Sequence, residues 1–401
     1  MTLLHGREVL RRRADIGLIA VFFALLWLPF ADAFLHLDHA AAPNENRVPA
    51  KFPTFQATLK GTGKFLAGLE AFFNDSFGFR RQLVRWRQVW YWKFFHDIQA
   101  GSNTTVLVGK GDWLFFSELR TVNDIIGVMP LTPAELEGWR ALFTVRRDWL
   151  RERGIRYLFV VPPDKQSVYP ERMPDWLIAR RRHPQRLEQF LDYMRTHSDV
   201  PILDLRETLL DAKKHADVYF HTDTHWNSRG AFAAYRRIVQ EVTALGIPST
   251  PLEADAFQET WTPGRTGDLA QMMGLESLIK EMANSAFSPK PTLPPLHLRT
   301  DKDLIRKKWV PNTEPRVAQN PGANGRIVMF HDSYTQYLFE FLGRTYGRVV
   351  FVWQQHWNKQ FIEREKPDIV IDEMLERAMI FQSPEDLRKL DEEPDAPAIG
   401  D

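Results

Sequence analysis

The chain contains no cysteine, which excludes disulfides, thiolate metal sites and cysteine nucleophiles together. Compartment stays open, because oxidising spaces permit disulfides without requiring them. A charge surplus is missing too: 52 Lys and Arg stand against 51 Asp and Glu, a net charge of +1. With no basic field, and no long basic run away from the N-terminus, nucleic acid is excluded as a partner. No internal repeat is evident. What is there is bulk. At 401 residues, 44% of them hydrophobic, the chain can build one large domain with a full core, or a domain and a small appendage.

Only one long apolar run stands out, IGLIAVFFALLWLPFA from Ile16 to Ala31, preceded by Arg7, Arg11, Arg12 and Arg13. Positive residues ahead of such a stretch hold that end in the cytoplasm and send the remainder across. The run is near the lower limit of about 17–25 residues for a spanning helix, and Phe34 and Leu35 extend it past Asp32. This predicts a transmembrane helix within residues 1–36, a single-pass anchor in the inner membrane with the body in the periplasm. The alternative is a signal peptide cut near Ala31-Asp32-Ala33, leaving a soluble periplasmic chain.

Residues 37–60 are polar and Pro-containing and read as a linker. A globular domain is expected over 61–382, with an acidic tail over 383–401. Its aromatic opening, Phe65 to His96, has the spacing of two amphipathic helices broken near Gly78. Thr104–Val108 and Trp113–Phe116 flank Gly109-Lys110-Gly111-Asp112 and predict a hairpin. Thr132-Pro133-Ala134-Glu135 is a capping box, and Gly154 can close the helix that follows. Arg156–Val161 reads as a buried strand, with further short strands at 201–205 and 217–220 and a helix from Ser228 to Gly246. The Pro-rich stretch 250–323 reads as an irregular insertion, apart from a helix at 267–285. Strands and helices alternate again from Arg326 to Met379. Such alternation implies right-handed crossovers, and hence an α/β fold with a mostly parallel sheet and helices on both faces.

In open parallel sheets, chemistry collects beyond the carboxyl ends of the strands. After one expected strand the chain reads DVYFHTDTHWNSRGAF, placing Asp223 two residues before His225. A carboxylate at that distance in a turn can hold one imidazole nitrogen and leave the other free to take a proton. The blander alternative is a turn in which Asp223 caps backbone. After another expected strand comes His331-Asp332-Ser333 and a helical pattern. A serine on a strand-to-helix turn is exposed above the sheet, with its own N–H free to face an oxyanion. Asp and Ser also favour such positions simply as helix caps. If the two segments meet, Ser333 is the nucleophile, His225 the base and Asp223 its orienter. A rival is a metal site at His221-x-Asp223-x-His225, completed by His331 or Asp332.

The chain resembles the alginate O-acetyltransferase family of AlgJ and AlgX. The resemblance rests on FNDSFGFR (73–80), VLVGKGDWLFF (106–116), VPPDKQSVYPE (161–171), DTHWNSRGAFAAY (223–235), MFHDSYTQY (329–337) and PDIVIDEMLER (367–377). It implies an SGNH-hydrolase-like domain with a triad carried onto Asp223, His225 and Ser333. It implies, further, an exported enzyme without a cofactor that acetylates a polysaccharide, its acetyl supplied through a membrane-bound O-acyltransferase partner. One departure is His331, where the family often has glycine before Asp-Ser. Lys165, Tyr169, Trp226, Tyr334 and His356 are candidate substrate contacts; the competing readings are a solvated side chain for Lys165 and packing for Tyr169 and Trp226. The other functions to be weighed are a carbohydrate acetyl esterase, which shares the acyl-serine, and a non-catalytic glycan-binding or assembly component.

Overall fold

The computed structural model describes residues 12–13, 15–24, 27–28, 31–32, 50–54, 59–76, 78–95, 105–281, 284–302, 304 and 312–392. They fall into two compact units, Met1–Ile98 with Gln271–Leu275, and Gln99–Ala270 with Glu276–Asp401. In the first, helices Leu59–Ser76 and Arg80–Phe95 flank a turn at Gly78. Among the described residues, no helix is long and apolar enough to cross a membrane. The expected single-pass anchor is corrected accordingly. The uncharged run Ile16–Ala31 is 16 residues long, short of the roughly 20 that a spanning helix needs, and Asp32 interrupts it before Phe34 and Leu35. Ala33, most of the linker and residues 393–401 lie outside the described residues.

In the second unit, β1 (Val106–Val108) and β2 (Leu114–Phe116) form the expected hairpin. Helix Pro133–Arg151 starts in a complete capping box: Thr132 Oγ1 accepts from the Glu135 N–H at 3.2 Å, and the Glu135 carboxylate from the Thr132 N–H at 2.8 Å. The remaining strands are β3 (Arg156–Val161), β4 (Ile202–Asp204), β5 (Phe257–Thr262), β6 (Asn284–Pro289), β7 (His297–Thr300), β8 (Arg316–Gln319), β9 (Arg326–His331), β10 (Arg348–Trp353) and β11 (Ile369–Glu373).

Seven of these form one sheet in the order β4-β3-β11-β9-β10-β8-β7. From β4 to β10 the pairs are parallel, whereas β8 lies antiparallel to β10, and β7 to β8. The sheet is mixed, which corrects the mostly parallel expectation. The extra strands come from the segment read as irregular: HLRT and RVAQ are too short and too polar to announce themselves, yet they complete the open edge of β10. The same segment supplies an antiparallel ribbon, β5 with β6, and only a short helix, Asp268–Met272, where a long one was expected. Residues 217–220 form no strand; Tyr219 makes a single bridge to Trp226.

Alternate residues of the central strands enter opposite cores, the period-2 rule for a sheet covered on both sides. Leu158, Val160, Ile327, Met329, Ile369 and Ile371 pack with helix Ser228–Ala244. Phe159, Val161, Val328, Phe330 and Val370 pack with helices Pro133–Arg151 and Arg186–His197. Beyond 382, a helix Pro384–Glu392 buries Asp391 against Arg146 at 2.8 Å.

Candidate active site

Buried β9 delivers the first turn. Asp332, just past its end, accepts from the Tyr334 N–H at 3.0 Å with one carboxylate oxygen and from the Leu375 N–H at 2.8 Å with the other. From the adjacent β11, Glu373 Oε2 accepts from the Asp332 N–H and the Thr335 hydroxyl, both at 3.0 Å. Burial, then the neighbouring Asp332, push the Glu373 carboxyl well above its usual range, so its neutral form is favoured. Ser333 opens a 3-10 turn, Ser333–Leu338, half-buried at the carboxyl edge of the sheet. His331 does not crowd it: its ring packs edge-on against Phe339 and Phe351, and burial lowers its pKa to about 4.

The second turn, 221–227, follows no strand of the sheet and is held in place from outside. Lys165, just after β3, is 2% exposed, and its ammonium donates to the carbonyls of Phe220, His221 and Asp223 at 3.0, 3.1 and 2.6 Å. Glu281 accepts from the His221 N–H at 3.0 Å and from the Thr222 N–H and hydroxyl at 2.6 Å each. Two ties join this turn to the nucleophile turn: Trp226 Nε1 donates to the Tyr334 carbonyl at 3.1 Å, and the Tyr334 hydroxyl to the Thr224 carbonyl at 2.6 Å.

These ties bring together residues 108 positions apart: His225 Nε2 lies 2.7 Å from Ser333 Oγ, and His225 Nδ1 lies 2.7 Å from Asp223 Oδ1. Asp223 is buried, which opposes its charge. Hydrogen bonds from His225 and the charge of Arg265, 3.5 Å away, nevertheless hold the carboxylate far below its usual range. An ionised Asp223 fixes the proton of His225 on Nδ1 and leaves Nε2 to accept from Ser333. Geometrically the three can act as nucleophile, base and orienter.

Of the candidate substrate contacts, Lys165, Tyr169, Trp226 and Tyr334 are buried, with their polar atoms turned onto backbone. Tyr169 Oη accepts from the Val218 N–H at 2.9 Å; the bonds of the other three are those just described. They shape the turns rather than face a substrate. His356 is half-buried beyond β10. The metal set with His221 does not assemble, because its ring pairs with Asp217 at 2.9 Å and stacks 4.2 Å from Trp113.

A different neighbour takes that place. Asp268 accepts from the Thr224 N–H and hydroxyl at 2.7 and 2.6 Å, and its own N–H donates to Asp223 Oδ2 at 3.2 Å. Its carboxylate lies 3.7 Å from His225 Nδ1. With Asp223 and His225 it forms a cluster of the kind that can hold a cation, although both carboxylates already accept hydrogen bonds. Arg265 donates to the Tyr337 hydroxyl at 2.9 Å. Both residues escaped the sequence reading because they sit in the Pro-rich segment. The one local signal was Gly267, where a Cβ would stand 2.2 Å from the Thr222 backbone; only glycine permits that approach.

Lys165→Met tests how the base turn is held. The buried carbonyls of Phe220 and Asp223 lose a cationic donor, each costing roughly 1–3 kcal/mol, while that of His221 keeps the Leu114 N–H at 2.8 Å. Denaturant unfolding is expected to show a loss of about 3 kcal/mol or more.

Residues 106–308 match the family model described as SGNH hydrolase-like domain, acetyltransferase AlgX. The probable alginate O-acetylase AlgJ of Pseudomonas aeruginosa is 25% identical over 224 residues, 55% of this chain and 53% of that protein. Its counterpart in Pseudomonas syringae pv. tomato is 27% identical over 293 residues, 71% of this chain and 64% of that one. The chain thus spans about half to two thirds of the curated relatives it matches. The structure of Bacillus cereus PatB1 superposes with a TM-score of 0.53 at 18% identity, covering 69% of this chain and 99% of that one, a likeness of fold alone.

Proposed function

We propose, from the premise that the chain belongs to the AlgX acetyltransferase family with its SGNH hydrolase-like domain, that it moves acetyl through Ser333 onto polysaccharide hydroxyls. The carrying observation is the continuous relay Asp223–His225–Ser333, with both links at 2.7 Å. His225 takes the Ser333 proton as Oγ attacks the acetyl carbonyl, and returns it to the departing donor group. A sugar hydroxyl then gives its proton to His225 and attacks the acyl-serine; the Ser333 Oγ–acyl bond breaks, His225 returns the proton to Oγ, and the sugar leaves as the acetyl ester. The Ser333 N–H, first in its helical turn and so without an intrahelical partner, is a donor for the oxyanion. The relatives named as alginate O-acetylases support a polysaccharide acceptor, and the proposal has acetyl arriving through a membrane-bound O-acyltransferase partner.

Incubation with an activated acetyl ester, quenching and peptide mass spectrometry test the central step. An added acetyl group, 42 mass units by chemical formula, is expected on the peptide carrying Ser333 and is absent from Ser333→Ala. Acetylation elsewhere, or turnover undiminished in that variant, would overturn the proposal. Water in place of the sugar hydroxyl makes the same intermediate an esterase, so the ratio of transfer to hydrolysis with oligosaccharide present decides between the two.

A further inference from the structure

Trp226, one of the candidate substrate contacts, is fully buried. Another tryptophan has the properties it lacks. Trp261 lies on β5 and is 48% exposed, and its place can be followed along the fold. Helix Ser228–Ala244 begins beside the site, capped by Asn227 Oδ1, which accepts from the Arg229 and Gly230 N–H groups at 3.0 and 3.1 Å. The β5 ribbon runs along this helix. Phe257 packs against Phe232, one turn in, with ring centroids 5.8 Å apart. Two residues on, Glu259 meets Arg229 in the first turn, accepting from Nε and Nη2 at 2.6 and 2.7 Å. Two residues further, Trp261 stacks on the same guanidinium, 5.0 Å from its ring centroid. All three side chains alternate onto one face of the strand. The ribbon therefore climbs toward the end of the helix where His225 sits, and the chain leaving it reaches Asp223 through Arg265 and Asp268. Four residues extend at most ~14 Å, so Trp261 stands within a few sugar units of the catalytic centre.

The geometry points to Trp261 as a stacking platform for a pyranose ring of the acceptor chain. This rests on the acyl-transfer reading of the site. An indole offers a broad apolar face with little rotamer entropy to lose, and the C–H face of a pyranose is its complement. Arg229 is fixed on the bidentate Glu259 carboxylate, which also accepts from Ser285 Oγ at 2.5 Å. The ring is thus held before any ligand arrives, and binding need not order it.

Trp261→Ala and Trp261→Phe are compared with the parent protein for binding of an alginate hexasaccharide and of cellohexaose, and for hydrolysis of a small activated acetyl ester. The platform predicts affinity for at least one glycan about tenfold weaker in Trp261→Ala, largely kept in Trp261→Phe, with unchanged ester hydrolysis. Equal affinity of Trp261→Ala and the parent for both glycans would overturn it, leaving a surface pair with Arg229. No binding of either glycan by the parent would also overturn it. Should the parent bind glycan but form no acetyl-Ser333, the transfer reading falls while the comparison of affinities still decides the platform.

Discussion

Replacing His225 by alanine is expected to lower kcat for ester turnover by a factor on the order of 10⁶, and removing the Ser333 hydroxyl from the same chain to cost almost nothing further. On the proposed mechanism Ser333 and His225 work as one unit. Without an acceptor 2.7 Å away, the Ser333 hydroxyl keeps its proton and cannot attack. Without the hydroxyl, the imidazole has no proton to take. Steady-state kinetics of the two single variants and the double variant measure this directly, with thermal melts showing that each is folded. Additive losses would mean that the residues act separately, and the relay would be abandoned. Turnover that survives Ser333→Ala but vanishes with a chelator would instead favour a cation at Asp223, His225 and Asp268.

For Asp223→Asn the expected loss is on the order of 10⁴ in kcat, with KM for a small ester little changed. The amide presents a donor where His225 Nδ1–H needs an acceptor, so the imidazole adopts the tautomer that cannot take the Ser333 proton. Because Asp223 is held far below the ordinary carboxylate range, it stays ionised well into acid, and the acid limb of the parent's pH–rate profile does not belong to it. Its depressed pKa also stabilises the fold above the usual carboxylate pKa, a contribution lost as pH falls toward the folded value. The parent's stability advantage over Asp223→Asn should accordingly shrink in strong acid. The second carboxylate, Asp268, bears on the size of the kinetic effect. At 3.7 Å from Nδ1 it can take over part of the orienting role, so Asp223→Asn/Asp268→Asn should be slower than Asp223→Asn alone. A loss below tenfold in the double variant would remove both carboxylates from the mechanism.

Legibility of the fold in the sequence followed burial. The runs RYLFVV, RIVMF and RVVFVW announce central strands because both of their faces meet apolar neighbours. HLRT and RVAQ, at the sheet edge, carry no such pattern, and the antiparallel half of the sheet went unread with them. Asp223, His225 and Ser333 were visible because each sits in a compact motif beside a strong helical or strand signal. The groups that hold them were not. Lys165 reads as a solvated lysine until its three carbonyl partners are brought 55 to 58 positions across the chain. Asp268 and Arg265 act through a segment whose local pattern says only loop. The apolar run at the N-terminus misled in the opposite direction. Hydropathy and flanking arginines suggested a membrane span, whereas among the described residues no helix is long and apolar enough to cross one.

The order of strands also bears on how the chain is made. Parallel β11, at residues 369–373 of 401, lies between β3 and β9. During synthesis the β3–β4 pair, complete at Asp204, emerges long before β11 begins at Ile369, whereas the β9–β10 pair, complete at Trp353, emerges shortly before it. Until it arrives, β3 and β9 each present an unpaired, strongly apolar edge, the kind of surface that pairs with the wrong chain. β3 therefore waits for its central partner while all the intervening strands are made, and it is β11 that closes the sheet between β3 and β9.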